Sequence, residues 1–473
     1  MSRTQDEIWK LELTELGELI RTRQLTSEGV TQSTLERIAA LDPELKSYAW
    51  VMRESALAAA RAADAEIAAG HYRSVLHGVP IGVKDLCYTV DAPTAAGTTI
   101  LAGFRPEYDA TVVARLRAAG AVITGKLTMT EGAYLAYHPS VTAPINPWDS
   151  QTWAGVSSSG CGVATAAGLC FGSIGSDTGG SIRFPASMCG LTGIKPTWGR
   201  VSRYGIVELA ASFDHVGPLA RSARDAAALL TAIAGPDPND PSSAVGDQAE
   251  DYCAELTLAQ KPRVGVDPSL LATFDEDTNS MMVDVIGTLT KLGWSVTDVA
   301  VPALDPIMDA FGKLRAAETA RAHARTYPAR AHEYGPVLGA LIAAGRKLTT
   351  AERRALIEQR QDFAEALRRV FQCVDILLMP SAGLASPTLD TMRRLGQDTR
   401  LNATLATPTA PFNVSGHPAM CLPAGFTTRG TPLGVQFIGR EFSERFLIQS
   451  GHAFQQVTTF HRRRPPLARS DRS

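Results

Sequence analysis

The sequence predicts an α/β fold, with one large domain built on a mostly parallel β-sheet whose faces are covered by helices. Short apolar segments alternate with helical segments along the chain, which is the pattern of a largely parallel sheet. Hydrophobic residues make up 45% of the chain and charged residues 20%, the balance of an ordinary globular protein. The 473 residues allow one large domain or two. Because no internal repeat or low-complexity linker divides them, the sequence favours one.

The first 70 residues are predicted to be helical, and a strand, a helix and a second strand follow them. Thr26 and Ser27 can cap a helix that ends near Asp42 and Pro43, and alanine-rich residues 56–69 form another helical segment. The unit that follows is predicted to contain a strand at 79–83, a helix at 111–119 and a strand at 121–124.

Glycine-rich turns dominate residues 155–205, and the alternation of strands and helices resumes after them. A helix is predicted at 221–234. A capping box from Thr349 to Glu352 begins another helix, which runs to about Phe371. Strands separated by a helix are predicted at 264–266 and 295–299, and buried strands at 376–379, 420–422 and 433–438.

Charge and hydropathy argue against two classes of partner. The formal net charge of −2 gives no electrostatic reason to expect binding to a nucleic acid or to an anionic membrane. Residues 150–176 carry no charge and are long enough to span a bilayer. They are rich in Ser and Gly, however, and lack the density of Leu, Ile and Phe that membrane insertion requires. We interpret them as a buried loop followed by a small-residue helix.

The remaining composition predicts a cytoplasmic protein without a metal or a cofactor. Residues 1–10 include charged residues and no apolar core, so no signal peptide is predicted. The seven cysteines are odd in number and form no CxxC pair, which fits reduced thiols in the cytoplasm. The nine histidines lack the spacing of metal ligands, so we predict no metal site.

Two clusters of serine and glycine, residues 155–160 and 177–183, are the strongest candidates for chemistry. Glycines beside a serine let the backbone turn sharply and direct several N–H groups toward one point. Such donors beside a nucleophile suit acyl transfer, because negative charge develops on the carbonyl oxygen in the transition state. For either cluster taken alone, a pair of tight turns without a ligand is the better interpretation.

Lys84 adds a candidate base. It belongs to the segment Gly-Val-Pro-Ile-Gly-Val-Lys-Asp at residues 78–85, where it ends an apolar strand. Most lysines in proteins are exposed and charged. A lysine that emerges from a strand into an apolar cleft would have its charged form disfavoured, which leaves a neutral amine able to accept a proton.

Together these three segments resemble the amidase signature family. The match is carried by residues 78–85 and by residues 175–183, Gly-Ser-Asp-Thr-Gly-Gly-Ser-Ile-Arg. Ser157 and Ser181 lie 24 positions apart, which reproduces the spacing of the family's two serines and selects Ser157 over its serine neighbours. The similarity covers most of the chain and extends to residues 109–113, 193–196 and 412–418.

The resemblance implies that the chain hydrolyses a carboxylic amide of a small molecule through an acyl-enzyme. Ser181 would be the nucleophile, and Ser157, which a cis peptide bond precedes in the family, would relay the proton. Lys84 would be the base and later the acid. Asp177 and Arg183 would hold the loop. The oxyanion hole would consist of the backbone N–H groups of Thr178, Gly179, Gly180 and Ser181.

The resemblance also implies a twisted, mostly parallel mixed β-sheet flanked by helices on both faces, within a single domain over residues 1–473. We divide this domain into four segments. They are an N-terminal helical segment (1–70), a catalytic core (71–235), a variable substrate-pocket region (236–370) and a C-terminal completion of the sheet (371–465).

Loops around the two serines are expected to form the substrate pocket. Residue types there suggest a partly apolar, aromatic-lined cavity. Its expected lining residues are Met129, Thr130, Tyr134 and Tyr137. The sequence leaves open whether the amide is aliphatic or aromatic and whether esters or carbamates are also cleaved. The oligomeric state is open as well, with a homodimer as the default expectation.

A second hypothesis is that the chain is the glutamine-hydrolysing amidase component of a tRNA-dependent amidotransferase complex. Residues 202–205 and 237–242 resemble stretches of such components. Residues 343–348 and 401–409, however, differ from the segments with which those components hold the charged ends of glutamine, so a free-standing amidase is favoured. A non-catalytic binding module is disfavoured, because all three catalytic positions keep competent side chains.

Overall fold

The computed structural model of the protein describes residues 8–243 and 250–467. These residues form sixteen α-helices and one sheet of eleven strands. The strands are β1 (Tyr48–Val51), β2 (Pro80–Lys84), β3 (Val122–Leu127), β4 (Ser173–Asp177), β5 (Thr192–Lys195), β6 (His215–Ala220), β7 (Arg263–Val266), β8 (Ser295–Asp298), β9 (Ile376–Pro380), β10 (Ala419–Phe426) and β11 (Pro432–Ile438).

Helices precede, separate and follow these strands along the chain. They are α1 (Leu13–Arg21), α2 (Ser27–Leu45), α3 (Arg53–Ala68), α4 (Thr111–Ala118), α5 (Ser159–Ala167), α6 (Arg183–Cys189), α7 (Ala223–Ile233), α8 (Pro268–Leu271), α9 (Glu276–Lys291), α10 (Leu304–Ala322), α11 (Pro336–Gly345), α12 (Thr350–Cys373), α13 (Leu389–Met392), α14 (Thr399–Ala406), α15 (Pro411–Val414) and α16 (Glu444–Val457).

The sheet has the strand order β1-β3-β2-β4-β6-β5-β10-β11-β9-β7-β8. Within the described residues, four neighbouring pairs are parallel and six are antiparallel. The predicted mixed α/β sheet is confirmed, but antiparallel pairs are more numerous than the sequence analysis expected. One cause is the short connection between β10 and β11, residues 427–431, because so short a link joins only antiparallel neighbours.

Helices cover both faces of the sheet, as predicted. On β10, Met420 and Leu422 point to the face of α16, where a Cβ at Gly451 would lie within 3.2 Å of both side chains. Cys421 points to the opposite face and joins a buried cluster with Ala186 of α6. Because alternate side chains of a strand point to opposite faces, α16 and α6 lie on opposite sides of the sheet.

Most predicted elements lie within a few residues of their expected positions. The Thr26 side chain accepts a hydrogen bond from the N–H of Gly29 and caps α2, and Thr349 and Glu352 form the predicted capping box of α12. The sequence analysis missed β1, β4, β5 and β6. Two of these, β4 and β5, lie in the glycine-rich segment, where pairing within the sheet overrides the weak strand propensity of Ser, Gly and Thr.

Predictions about the whole chain have different outcomes. In the part of the chain that the structure describes, no helix combines the length and apolar character that crossing a bilayer requires. The seven cysteines are free thiols. The prediction of no signal peptide rests partly on residues 1–7, which lie outside the described residues. The division into four segments and the cytoplasmic location stay predictions.

Candidate active site

The sheet brings the three sequence motifs to one edge. β2 and β4 are parallel neighbours, with Gly82 opposite Ser173 and Val83 opposite Ile174. Their carboxyl ends therefore adjoin, which brings Lys84 at the end of β2 beside the loop that follows β4. The N-terminus of α5 supplies the serine cluster at the same place.

Lys84 is completely buried and faces serine hydroxyls instead of a carboxylate. Its Nζ lies 2.7 Å from Ser157 Oγ and 2.8 Å from Ser176 Oγ. Burial lowers the pKa of Lys84 to about 8, since an ammonium group loses its hydration there. A substantial fraction of the amine is therefore neutral near physiological pH and can accept a proton.

Ser157 lies between Lys84 and the nucleophile loop. The peptide bond between Val156 and Ser157 is cis, as the resemblance implies. The neighbouring N–H of Ser158 donates to the carbonyl oxygen of Ser181 at 3.3 Å, which ties the two serine segments together. The Ser157 and Ser181 hydroxyls do not hydrogen-bond to each other in the described structure. The Ser181 side chain instead borders an open cavity.

A buried ion pair holds the loop that carries Ser181. Asp177, the last residue of β4, accepts hydrogen bonds from the N–H groups of Gly180 at 2.7 Å and Ile182 at 3.1 Å. Arg183 donates to the same carboxylate from Nη2 at 2.9 Å and from Nε at 3.0 Å. Burial acts to raise the pKa of Asp177, but the Arg183 guanidinium, together with Lys195 and the Asn413 amide, outweighs burial and lowers that pKa below its usual range. Asp177 and Arg183 thus lie where the sequence analysis expected them.

The orientation of Gly180 corrects one predicted role. Gly180 has a φ of +136°, and a Cβ at this position would lie 2.4 Å from the Phe184 ring, so only glycine fits. Its N–H donates to Asp177 and is therefore not available to the cavity. We remove Gly180 from the predicted oxyanion donors for this reason. Of the four predicted oxyanion donors, the N–H groups of Thr178, Gly179 and Ser181 have no acceptor among the described residues.

Replacing Arg183 with methionine is expected to lower the free energy of unfolding by about 3–5 kcal/mol, because it leaves the Asp177 carboxylate buried without its cation. The matched control is Arg354→Met on α12. Arg354 forms an exposed pair with Glu358, and such pairs contribute less than about 1 kcal/mol. Urea unfolding of both variants measures the difference. Equal stability of the two variants would contradict the expectation.

A cavity of about 870 Å³ adjoins the nucleophile loop. Ser181, Thr178 and Gly179 form part of its wall, together with residues of α10, α11, α12 and α14. Its size is that of a small-molecule binding site. Of the four residues expected to bind substrate, Tyr134 lines this cavity.

The other three predicted substrate residues lie outside the lining of this cavity, and each has another role in packing. Met129 faces a separate depression beside α2. The Thr130 hydroxyl donates to the backbone carbonyl of Tyr134. The Tyr137 hydroxyl donates to Ser159 Oγ at 2.6 Å. The structure therefore gives no support to their predicted contact with substrate, which stays a prediction.

Sequence analysis missed the lining residues of α10, notably Phe311 and Arg315. They lie in the segment that resembles the family least, and neither belongs to a motif. No local pattern distinguishes them from other residues of a long helix. Among the described residues, no cluster of three or more His, Cys, Asp or Glu side chains is arranged to hold a metal ion.

Known proteins are similar to this chain over most of its length. The model of the Amidase family matches residues 29–448. The chain is 72% identical to the "Putative amidase AmiD" of Mycobacterium tuberculosis H37Rv, over 98% of this chain and 97% of that protein. It is 37% identical to a glutamyl-tRNA(Gln) amidotransferase subunit of Chloroflexus aggregans, over 94% of this chain and 96% of that protein.

A solved structure is also similar to this chain. The native peptide amidase of Stenotrophomonas maltophilia superimposes with a TM-score of 0.83 and 31% sequence identity, over 96% of this chain and 98% of the peptide amidase. The fold is thus shared over nearly the full length of both proteins. The chain therefore belongs to the amidase family.

Proposed function

We propose that the chain hydrolyses the amide bond of a small carboxylic amide through an acyl-enzyme formed on Ser181. The Ser181 oxygen attacks the carbonyl carbon, and its proton passes through the Ser157 hydroxyl to the Lys84 amine. The protonated Lys84 then returns a proton, through Ser157, to the departing nitrogen. Water attacks the acyl-enzyme in the second half of the reaction and releases the acid.

The observation that carries this proposal is the state of Lys84. Its amine is buried, has a lowered pKa and contacts Ser157 Oγ at 2.7 Å. A lysine with a carboxylate partner would remain charged and could not act as a base, and no described carboxylate pairs with Lys84. The described structure lacks one contact that this proton transfer needs, a hydrogen bond between the Ser157 and Ser181 hydroxyls. We expect a small rotation of the Ser181 side chain to form it when substrate enters.

The unpaired N–H groups of the nucleophile loop support a site for the developing oxyanion. Those of Thr178, Gly179 and Ser181 have no acceptor within the described chain, and all three residues border the cavity. A fixed donor in such a site typically contributes about a hundredfold or more in rate. The ion pair of Asp177 and Arg183 keeps the loop rigid, so that the donors need no reorganisation during the reaction.

A fluorophosphonate probe tests the nucleophile, and ammonia release from a panel of primary amides tests the reaction. We expect one equivalent of probe to bind to Ser181, as located by peptide mass spectrometry, and to block ammonia release. Labelling at another residue, or full labelling without inhibition, would contradict the proposal. Adding anilides, esters and carbamates to the panel defines the leaving groups, which the cavity alone does not specify.

The pH dependence of the reaction follows from Lys84. A base must be unprotonated, and its pKa is about 8, so kcat/KM is expected to rise with pH below about 8 and to level off above it. Initial rates measured between about pH 6 and pH 9.5 with a neutral amide check this, with circular dichroism as the control for folding. A rate that is constant across this range would mean that Lys84 is not the base.

The glutamine-hydrolysing component of an amidotransferase remains the second candidate, because the 37% identity to an amidotransferase subunit extends over nearly the whole chain. The two segments that resemble those components contact each other: Ser202 Oγ donates to Asp237 at 2.5 Å, and the N–H of Arg203 donates to Asp240 at 2.6 Å. The free-standing amidase is favoured by the higher identity of 72% to an amidase. Glutamine turnover that requires added partner proteins would reverse this preference.

A further inference from the structure

The cavity beside Ser181 contains an arginine without an acidic partner. Arg315 lies on α10 and lines the cavity together with Tyr134. Its Nε is buried and has no hydrogen-bond acceptor among the described residues, and its Nη2 makes a single long contact of 3.4 Å with the Tyr134 hydroxyl. The ion pairs of α10 involve other cations, Lys313 and Arg321, and the described residues provide no carboxylate for Arg315.

Two arginines elsewhere in the chain, the buried Arg183 and the half-buried Arg360, have an acceptor for Nε and for each terminal nitrogen. Arg183 donates to Asp177 and to three other acceptors around it. Arg360 donates from Nε to the Val414 carbonyl at 2.7 Å, and from Nη2 to the Ser212 carbonyl at 2.8 Å. An unmatched buried donor costs free energy, so proteins usually supply a partner. Other arginines of the described chain, Arg221 among them, also lack an acceptor for Nε. Arg315 differs from Arg221 because it lines the cavity beside Ser181, where a ligand can supply an acceptor.

Two aromatic rings fix the position of this cation. The guanidinium carbon of Arg315 lies 4.6 Å from the centre of the Phe311 ring and 4.9 Å from that of Tyr134. Contacts with ring faces hold the guanidinium, while its Nη1 group, which is not buried and has no hydrogen-bond partner among the described residues, stays free to donate to an anion in the cavity. Phe311 also touches the nucleophile loop, since a Cβ at Gly179 would lie 3.1 Å from Phe311 Cζ. Phe311 therefore contacts both the cation and the loop of the proposed oxyanion site.

The other charged residues that line the cavity do not provide Arg315 with an anionic partner. Lys313 and Asp309 pair with each other at 2.6 Å. Glu352 accepts the hydrogen bonds of its own helix cap. Asp305 and Lys347 are exposed to water at the rim, where charges are screened. Arg315 is thus the least exposed cation of this lining, and it has no carboxylate partner among the described residues.

We propose that Arg315 binds a carboxylate group of the substrate, so that the preferred substrates are small amides that also carry a negative charge. The inference rests on the proposed amide hydrolysis at Ser181 and specifies its substrate class. A carboxylate would accept a hydrogen bond from the accessible Nη1 end of Arg315, with its charge compensated at short range. A neutral amide of the same length would leave that donor unmatched.

The test compares monoamides of dicarboxylic acids of four, five and six carbons with the neutral alkanamides of equal length. Ammonia release gives kcat/KM for each pair. We expect the wild-type enzyme to prefer at least one acidic amide over its neutral counterpart by about 10- to 100-fold, the size of a charge-assisted hydrogen-bond pair. Arg315→Gln should remove this preference by lowering kcat/KM for the acidic amide more than for the neutral amide of equal length, while Arg315→Lys should restore part of it.

Lys313→Gln is the matched control, because it removes a cation that lines the same cavity but already has a partner. It should keep the preference for acidic amides. A wild-type enzyme without that preference, or an Arg315→Gln variant that loses equal activity on both amides, would overturn the proposal.

A failure of the proposed function gives a different result from a failure of this inference. If the wild-type chain hydrolyses none of these amides, the hydrolytic function fails, and calorimetry with the corresponding dicarboxylates decides the role of Arg315. Binding that Arg315→Gln weakens by about tenfold or more would support the inference. No binding to the wild-type chain, or equal binding by both proteins, would overturn it.

Discussion

Replacing Lys84 with methionine is expected to lower kcat/KM for amide hydrolysis by about 10³-fold at neutral pH, within the usual range for a general base. Methionine keeps an unbranched side chain in the buried space but cannot accept a proton. Ser157 then loses the group that draws its proton, and Ser181 remains a weakly nucleophilic hydroxyl. The residual rate should also lose its dependence on pH near 8, because the group that titrates there is gone.

The same substitution should not unfold the protein. The pKa of Lys84 is about 8 in the folded chain and 10.5 as its reference value. As pH falls from 10.5 to 8, the unfolded chain takes up a proton that the folded chain does not, so stability decreases. Methionine removes this cost, and the thermal midpoint at about pH 7 is expected to stay constant or to rise.

Lys126→Met is the matched control for Lys84→Met. Lys126 is also a buried lysine on a neighbouring strand, but it pairs with Asp85 at 3.2 Å. Its loss should lower stability, since Asp85 is left without its cation, while activity per folded molecule stays within about tenfold. If instead Lys84→Met retained the neutral-pH rate of the wild-type enzyme, the assignment of the base would be wrong.

The positions of Lys84, Ser157 and Ser181 could be predicted because each lies in a short local motif that resembles the amidase signature family. The 24-residue spacing of the serines reproduces that of the family and selected Ser157 among its serine neighbours. The structure brings Lys84 and Ser157 into contact. Whether these residues perform the predicted chemistry stays a prediction.

The substrate cavity could not be predicted in the same way. Phe311 and Arg315 reach the cavity beside Ser181 through the packing of α10, which starts more than 100 residues after the nucleophile in the sequence. Tyr137 was expected to face substrate, but a buried hydroxyl, that of Ser159, provides it with a partner instead. The role of Gly180 depended on which way one N–H points, which the sequence does not specify.

Replacing Ser181 with alanine is expected to have the largest effect, a fall in kcat of at least about 10⁴-fold, because no covalent intermediate can form. The Ser181 hydroxyl borders the cavity and has no structural partner among the described residues, so its loss should leave the fold unchanged. Fluorophosphonate labelling should disappear in this variant. Ser159→Ala is the control: it removes a nearby buried hydroxyl that accepts a hydrogen bond from Tyr137, and it should keep both labelling and turnover.

Trapping of the acyl group distinguishes a nucleophilic Ser181 from one that only orients water. Hydroxylamine competes with water for an acyl-enzyme, so the wild-type enzyme should form the hydroxamate at the expense of the acid while amide consumption continues. The Ser181→Ala variant should form neither product above background. If it released the acid at a rate near that of the wild-type enzyme, water would have to attack the amide directly. In that case the buried amine of Lys84 would serve as a base for water, and the contact with Ser157 would have no part in nucleophile activation.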